Sequence, residues 1–134
     1  MTVRQVTLDT GALIAIERRK QRGLLLLDLA RHRLARLLVP VPVIAEWWRG
    51  RTDARERILE AVSVLPLSVA QARAAGEALG KLRNRANVQA VDAIVMAFAA
   101  ANGGVVYTGD VQDLERIRTA YFPSVRVLGI GDDV

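Results

Sequence analysis

Short apolar runs that close on turn residues alternate along this chain with stretches of helical spacing, and this constrains the fold more than any other feature. "VRQVTL" (3–8) alternates and ends in turn chemistry, so it reads as a strand. "GALIAIE" (11–17) then shifts towards helical spacing. Residues 23–38 carry Leu26, Leu29, Leu34 and Leu37 at near-helical intervals with arginines between them, which predicts one amphipathic helix. An apolar stretch, "LLVPVPVI", leads into a helix over "IAEWWRG", started near a proline and followed by Gly50.

Two further helices are expected over 53–62 and 68–82, with "SVLPLS" between them as a short strand. After a polar loop at 83–89 comes "VDAIVMAFAAANGG", a strongly apolar helix stopped by Asn102 and two glycines. "VVYTGD", "VQDLERIRTAYF" and "SVRVLGI" then read as strand, helix and strand. Strands separated by helices pair in parallel, so the expected fold is α/β: a mostly parallel central sheet flanked by helices on both faces. At 134 residues, one domain over 1–134 is expected.

The absence of cysteine removes disulfides and thiolate metal sites and favours a reducing compartment. "MTVRQVTLD" has no hydrophobic leader, and the longest apolar run, "AIVMAFAAA" (93–101), is too short for a bilayer. A cytoplasmic protein without membrane association is therefore expected. The net charge is +5, and 17 of the 19 basic side chains are arginine. Arginine binds phosphate bidentately and stacks on bases, which suits a polyanionic partner; a solvated helix surface explains the same bias without one.

"LDTGA" at Asp9 has the look of an aspartic protease loop. That enzyme class needs a mostly β framework and a second equivalent Asp; here a helix follows directly and no second "DTG" exists. In an open α/β sheet ligands bind beyond the carboxyl ends of the strands, where Asp9 and Asp110 both fall. Either one also suits a plain helix N-cap, with Asp113 favourable in the first turn after Asp110. Asp92 opens an apolar helix, where an ionised carboxylate is costly unless paired, metal-bound or capping. Glu46 lies in an apolar segment, and Arg49 at i+3 offers it an ordinary ion pair.

Together these acids point to one cleft. Two unit charges 4 Å apart repel by about 4 kcal/mol at an effective dielectric near 20, so clustered carboxylates must take up protons or bind a cation. With no Cys and a single His32 among surface arginines, the ligands on offer are hard oxygens, which suit Mg²⁺ or Mn²⁺.

In "LDTGALIA", "IAEWWRG", "VDAIVMAFA" and "VYTGDVQDLERI", in that order and over nearly the whole chain, the sequence resembles the PIN-domain family, and within it the VapC-type ribonuclease toxins of bacterial toxin–antitoxin pairs. The resemblance places the family's four acids on Asp9, Glu46, Asp92 and Asp110, which would bind the metal, a further metal-binding acid with a supporting role on Asp113, and a supporting hydroxyl on Thr108. It implies metal-dependent hydrolysis of RNA leaving a 5′-phosphate, a homodimer, and a cognate antitoxin that blocks the acidic cleft. Two departures stand out: Trp47 and Trp48 replace smaller aliphatics, and Gly109 stands where Ser or Arg is frequent.

The tryptophans are candidates for partner contacts, or for the core. RNA would be held first by Arg83 and Arg85 in the loop before Asp92, then by Arg49 and Arg51. The competing readings are a non-catalytic RNA-binding or regulatory module of the same fold, which would not need four acids, and a phosphatase of another α/β family. The phosphatase would want a second acid two residues after Asp9, where Gly11 stands, and a lysine beyond Lys81, where none occurs.

Overall fold

Helical segments separate each pair of consecutive strands, so every strand returns in the direction of the one before it. In the computed structural model, which describes residues 3–82 and 88–130, these strands are β1 (Arg4–Leu8), β2 (Ala35–Pro40), β3 (Ser63–Leu65), β4 (Val105–Thr108) and β5 (Arg126–Gly129). They form one sheet in the order β3-β2-β1-β4-β5, parallel throughout. The centre of β1 is paired on both sides, Thr7 lying opposite Leu38 of β2 and Val106 of β4.

The chain fills the β2 and β3 side of β1 first and then crosses to the β4 and β5 side. The order therefore reverses between β1 and β4, and a crevice opens beyond their carboxyl ends, where open α/β sheets bind their ligands. Asp9 follows β1 by one residue and Asp110 follows β4 by two.

Helices α1 (Thr10–Glu17), α2 (Gln21–Arg31), α3 (Val41–Trp47) and α4 (Asp53–Ala61) pack with one another, and so do α5 (Val69–Leu82), α6 (Ala90–Ala101) and α7 (Val111–Tyr121), making a three-layer α/β/α fold. Their starts follow local chemistry. Asp9, Thr52 and Asp110 cap α1, α4 and α7 with side-chain oxygens. Ser68 and Gln71 exchange side-chain and backbone hydrogen bonds of 3.0 and 3.1 Å, a reciprocal capping box before α5. α6 buries Ala93, Val95, Met96, Ala97, Phe98 and Ala99, and the chain leaves it through Gly103 and Gly104, both at positive φ. Among the described residues no helix is long and apolar enough to cross a membrane.

One expected element is two. The helix predicted over 23–38 ends at Arg31, and Ala35–Pro40 is strand β2. The leucine spacing suits a helix, yet Leu34 is 60% exposed in the connection while Leu37, Leu38 and Val39 are buried in the sheet. The reversal is made at Arg33, whose φ of 58° lies in the left-handed region where no glycine or proline marks a break. A strand covered on both faces reads as a nearly continuous apolar run, which periodicity alone does not separate from helix.

Candidate active site

Asp9 is held before anything binds to it. Its Oδ1 accepts from the Ala12 amide at 2.8 Å, as the cap of α1, and from the Gly109 amide at 3.3 Å. Its Oδ2 accepts from the hydroxyl of Thr108, and that same hydroxyl oxygen accepts from the Asp110 amide at 2.8 Å. Thr108 is thus the link through which the end of β4 fixes the carboxylate at the end of β1. Asp9 is 6% exposed, and burial drives its pKa above the usual Asp value of 3.8, aided by the nearby Asp110 charge and opposed by the three hydrogen bonds.

Glu46 reaches the same place from α3. The Thr10 hydroxyl donates to its Oε1 at 2.5 Å, tying it to the first turn of α1. The ion pair with Arg49 that the sequence allowed does not form; Arg49 donates instead to the Trp48 carbonyl.

Asp92 occupies the third position of α6, where the Gln89 backbone at the helix start favours its ionised form. Its pKa is pushed up to about 6, first by burial and then by the charges of Asp9, Asp113 and Glu46. These acids therefore face one another. Asp9, Thr10, Gly11, Glu46, Asp92, Gly109 and Asp110 line a cleft of about 220 Å³, together with Val91 and Val95 of α6.

Asp110 caps α7 by accepting from the Asp113 amide at 3.3 Å. The cap reading and the cleft reading of Asp9 and Asp110 thus both hold. Asp113 sits at the margin, its carboxylate paired with Arg116 at 3.2 Å. Its pKa is raised first by a hydrogen bond with the Asp110 side chain, then by desolvation and the Asp110 charge, while Arg116 lowers it. Among the described residues no ion pair reaches Asp9, Glu46, Asp92 or Asp110.

Two features of the cleft were not apparent from the sequence. Thr10 orients Glu46, and only its place inside "DTG" hinted at a role. Gly11 and Gly109 touch backbone to backbone, which brings the two strand ends together. Trp47 is buried, with its indole turned towards α1, so it belongs to the core. Arg49 and Arg51 are outside the cleft lining, and Arg51 is spent on a loose pair with Glu56 at 3.8 Å. Arg83 and Arg85 lie outside the described residues.

A hard divalent cation fits this donor set. The carboxylates converge without a basic side chain among the causes that shift Asp9 or Asp92, and every donor is oxygen. Among the described residues no three acids or histidines close on a single point as a finished cage. Hard cations such as Mg²⁺ take oxygen ligands and keep several of their waters, so a carboxylate-lined cleft need not close around one to bind it.

The family profile described as PIN domain matches residues 6–119, which covers the strand ends, all four cleft acids and Asp113. The chain belongs to the PIN-domain family. PIN domains are generally nucleases and generally use divalent metal ions. No curated protein matches the chain with significance.

Among solved structures, this PIN domain is similar to VapBC2 from Rickettsia felis bound to a DNA fragment from their promoter, with a TM-score of 0.71 and 16% identity over 93% of this chain and 98% of that one. It is similar as well to DNA-bound VapBC from Salmonella typhimurium, at 0.70 and 21% over 95% and 98%. A third is FitAcB from Neisseria gonorrhoeae, at 0.63 and 17% over 92% and 96%. At such identities the likeness is one of fold.

Proposed function

We propose that this PIN domain is an Mg²⁺- or Mn²⁺-dependent endoribonuclease, the toxin of a toxin–antitoxin pair. The observation that carries the reading is Asp92, a carboxyl pushed up to about 6 by burial and by the charges of Asp9, Asp113 and Glu46 in one cleft. Such a group is poised to exchange its proton for a metal ion.

Asp9, Glu46, Asp92 and Asp110 would hold the ion. When bound, the ion acidifies water and neutralises the charge that develops on a phosphodiester undergoing hydrolysis. Asp9 is the fixed member, its two oxygens oriented by Ala12, Gly109 and Thr108. Thr10, the residue after Asp9, aims Glu46. Val91 and Val95 give the cleft an apolar wall that limits water around the acids. RNA as substrate is supported by the arginine-rich composition, and an antitoxin partner by the fold shared with the VapBC and FitAcB complexes. A homodimer belongs to the same reading.

The test is cleavage of single-stranded RNA by wild type, Asp9→Asn and Asp92→Asn, with Mg²⁺, with Mn²⁺ and with a chelator. Cleavage that needs the metal and vanishes in both folded variants supports the reading. Full activity in both variants, with contaminating nuclease excluded, defeats it.

A further inference from the structure

Glu46 and Trp47 are neighbours in sequence but reach opposite ends of α1. Glu46 is held by Thr10 at the first residue of that helix. Trp47 donates its indole N–H to Oε1 of Glu17, the last residue of the same helix, at 3.0 Å. Adjacent helical side chains diverge by about 100°, and an eight-residue helix is about 12 Å long, so the end of α3 lies across α1 as a strut fixed at two points.

The second fixed point is itself clamped. The other oxygen of Glu17 meets Arg55 of α4 at 3.2 Å, and Arg55 donates again to the Gly50 carbonyl at 2.9 Å, just beyond α3. Glu17 and Arg55 are both largely shielded, their side chains 25% and 18% exposed. Trp47 is 3% exposed, and Trp48 packs edge-on to it at 6.0 Å. α3 has only seven residues and ends at once in extended backbone at Trp48. A helix so short has little intrinsic persistence, so tertiary contacts must set its direction.

We propose that Glu17 is a positioning residue for Glu46: with its carboxylate clamped by Arg55, it receives the Trp47 indole N–H and thereby fixes the end of α3 from which Glu46 is presented to the acidic cleft. This rests on the reading of Glu46 as a metal-binding acid only for its catalytic consequence; the mechanical link is independent of it. The bond requires an acceptor at residue 17 and an N–H at residue 47. Glu17→Gln keeps the acceptor and loses the charge, Glu17→Ala loses both, and Trp47→Phe loses the donor.

The experiment has a metal-free arm and a metal arm. In the first, unfolding by urea is compared for wild type, Thr10→Val, Glu17→Ala and the double variant. If Glu17 holds Glu46 against Thr10, the destabilisation caused by Thr10→Val shrinks by half or more in the Glu17→Ala background. Simple additivity overturns the proposal whatever the metal does.

In the second arm, direct Mn²⁺ titration of the folded proteins is expected to show about tenfold weaker binding for Glu17→Ala and Trp47→Phe, with Glu17→Gln restoring most of the wild-type affinity. Unchanged affinity in Glu17→Ala overturns the positioning role, and so does a Glu17→Gln variant as weak as Glu17→Ala. If wild type itself binds no Mn²⁺, the metal reading of the cleft fails, while the double-variant cycle still decides whether Glu17 positions Glu46.

Discussion

Gly11 and Gly109 meet backbone to backbone across the reversal of the sheet: a Cβ on Gly11 would lie 2.8 Å from the Gly109 Cα, and a Cβ on Gly109 would lie 2.9 Å from the Gly11 Cα. Neither neighbour is a side chain that can swing aside. This contact lets the turn after β4 press against the start of α1, so that the Gly109 amide reaches Asp9 and Asp110 enters the cleft. The glycine at 109, a departure from the pattern the chain otherwise resembles, has a steric reason here.

Gly109→Ala is therefore expected to destabilise. Replacing glycine by alanine where nothing intervenes stabilises by about 0.4–1 kcal/mol through the unfolded chain. Overpacking of a closed contact costs about 1–3 kcal/mol, and that effect wins here. Urea unfolding should show the net loss, and Mn²⁺ titration should show weaker binding as the two strand ends separate. A variant more stable than wild type would show that the contact is not tight.

Thr108 offers a cleaner probe of the Asp9 carboxylate. Its hydroxyl serves Asp9 and the Asp110 amide together and is fully buried. Thr108→Val keeps the shape but removes the partner of Asp9 Oδ2 and of the Asp110 amide, at about 1–3 kcal/mol of stability. Without the hydroxyl that lowers it, the Asp9 pKa climbs further. Metal affinity at neutral pH should fall by roughly 10–100-fold, the usual effect of removing a group that orients a ligand. Thr108→Ser should recover most of the loss; equal weakness in Ser and Val variants would assign the effect to packing.

The fold class and the convergence of the candidate acids were legible in the sequence, while some of the elements and contacts that hold them were not. Asp9 and Asp110 were legible because turn chemistry after an apolar strand marks the carboxyl edge of a parallel sheet, and Asp92 because a carboxylate beside an apolar helix face needs a reason. β2 was not legible, since Leu34 and Leu37 satisfy helical spacing and the reversal at Arg33 uses a left-handed arginine rather than a glycine. The Thr10–Glu46 and Glu17–Trp47 bonds join residues 36 and 30 positions apart, and nothing local in either segment signals its partner. The Gly11–Gly109 approach is likewise a property of the sheet order, visible only once β1 and β4 are known to be neighbours.

Asp113 should matter much less than Asp92. It is outside the cleft lining and is already paired with Arg116, although its charge contributes to the raised Asp92 pKa. Asp113→Asn is expected to keep metal-dependent cleavage within about tenfold of wild type, whereas Asp92→Asn should fall well beyond the roughly hundredfold limit of supporting groups. Comparable losses in the two variants would keep Asp113 in the metal-binding set, where the family resemblance puts it.

Asp92 also predicts how the metal-free protein responds to pH. Its pKa is 3.8 in the ordinary state and about 6 in the fold, so between those values the folded protein holds more protons than the unfolded chain. Stability from this group is thus full at low pH, falls as pH rises towards 6, and levels off above it. Because the carboxyl is only half-buried, solvent screening reduces the penalty at pH 7 to on the order of 1 kcal/mol. Asp9, raised chiefly by burial, acts in the same direction. Without metal, Asp92→Asn should therefore be more stable than wild type at pH 7, and the advantage should shrink by pH 5. Mn²⁺ should reverse the order at pH 7, because the ion stabilises only a fold that still carries the carboxylate. Urea unfolding of both proteins at the two pH values, with and without Mn²⁺, checks each step; an asparagine variant less stable than wild type to the same extent at pH 5 and pH 7 would mean that Asp92 serves the fold as a cap and carries no electrostatic strain.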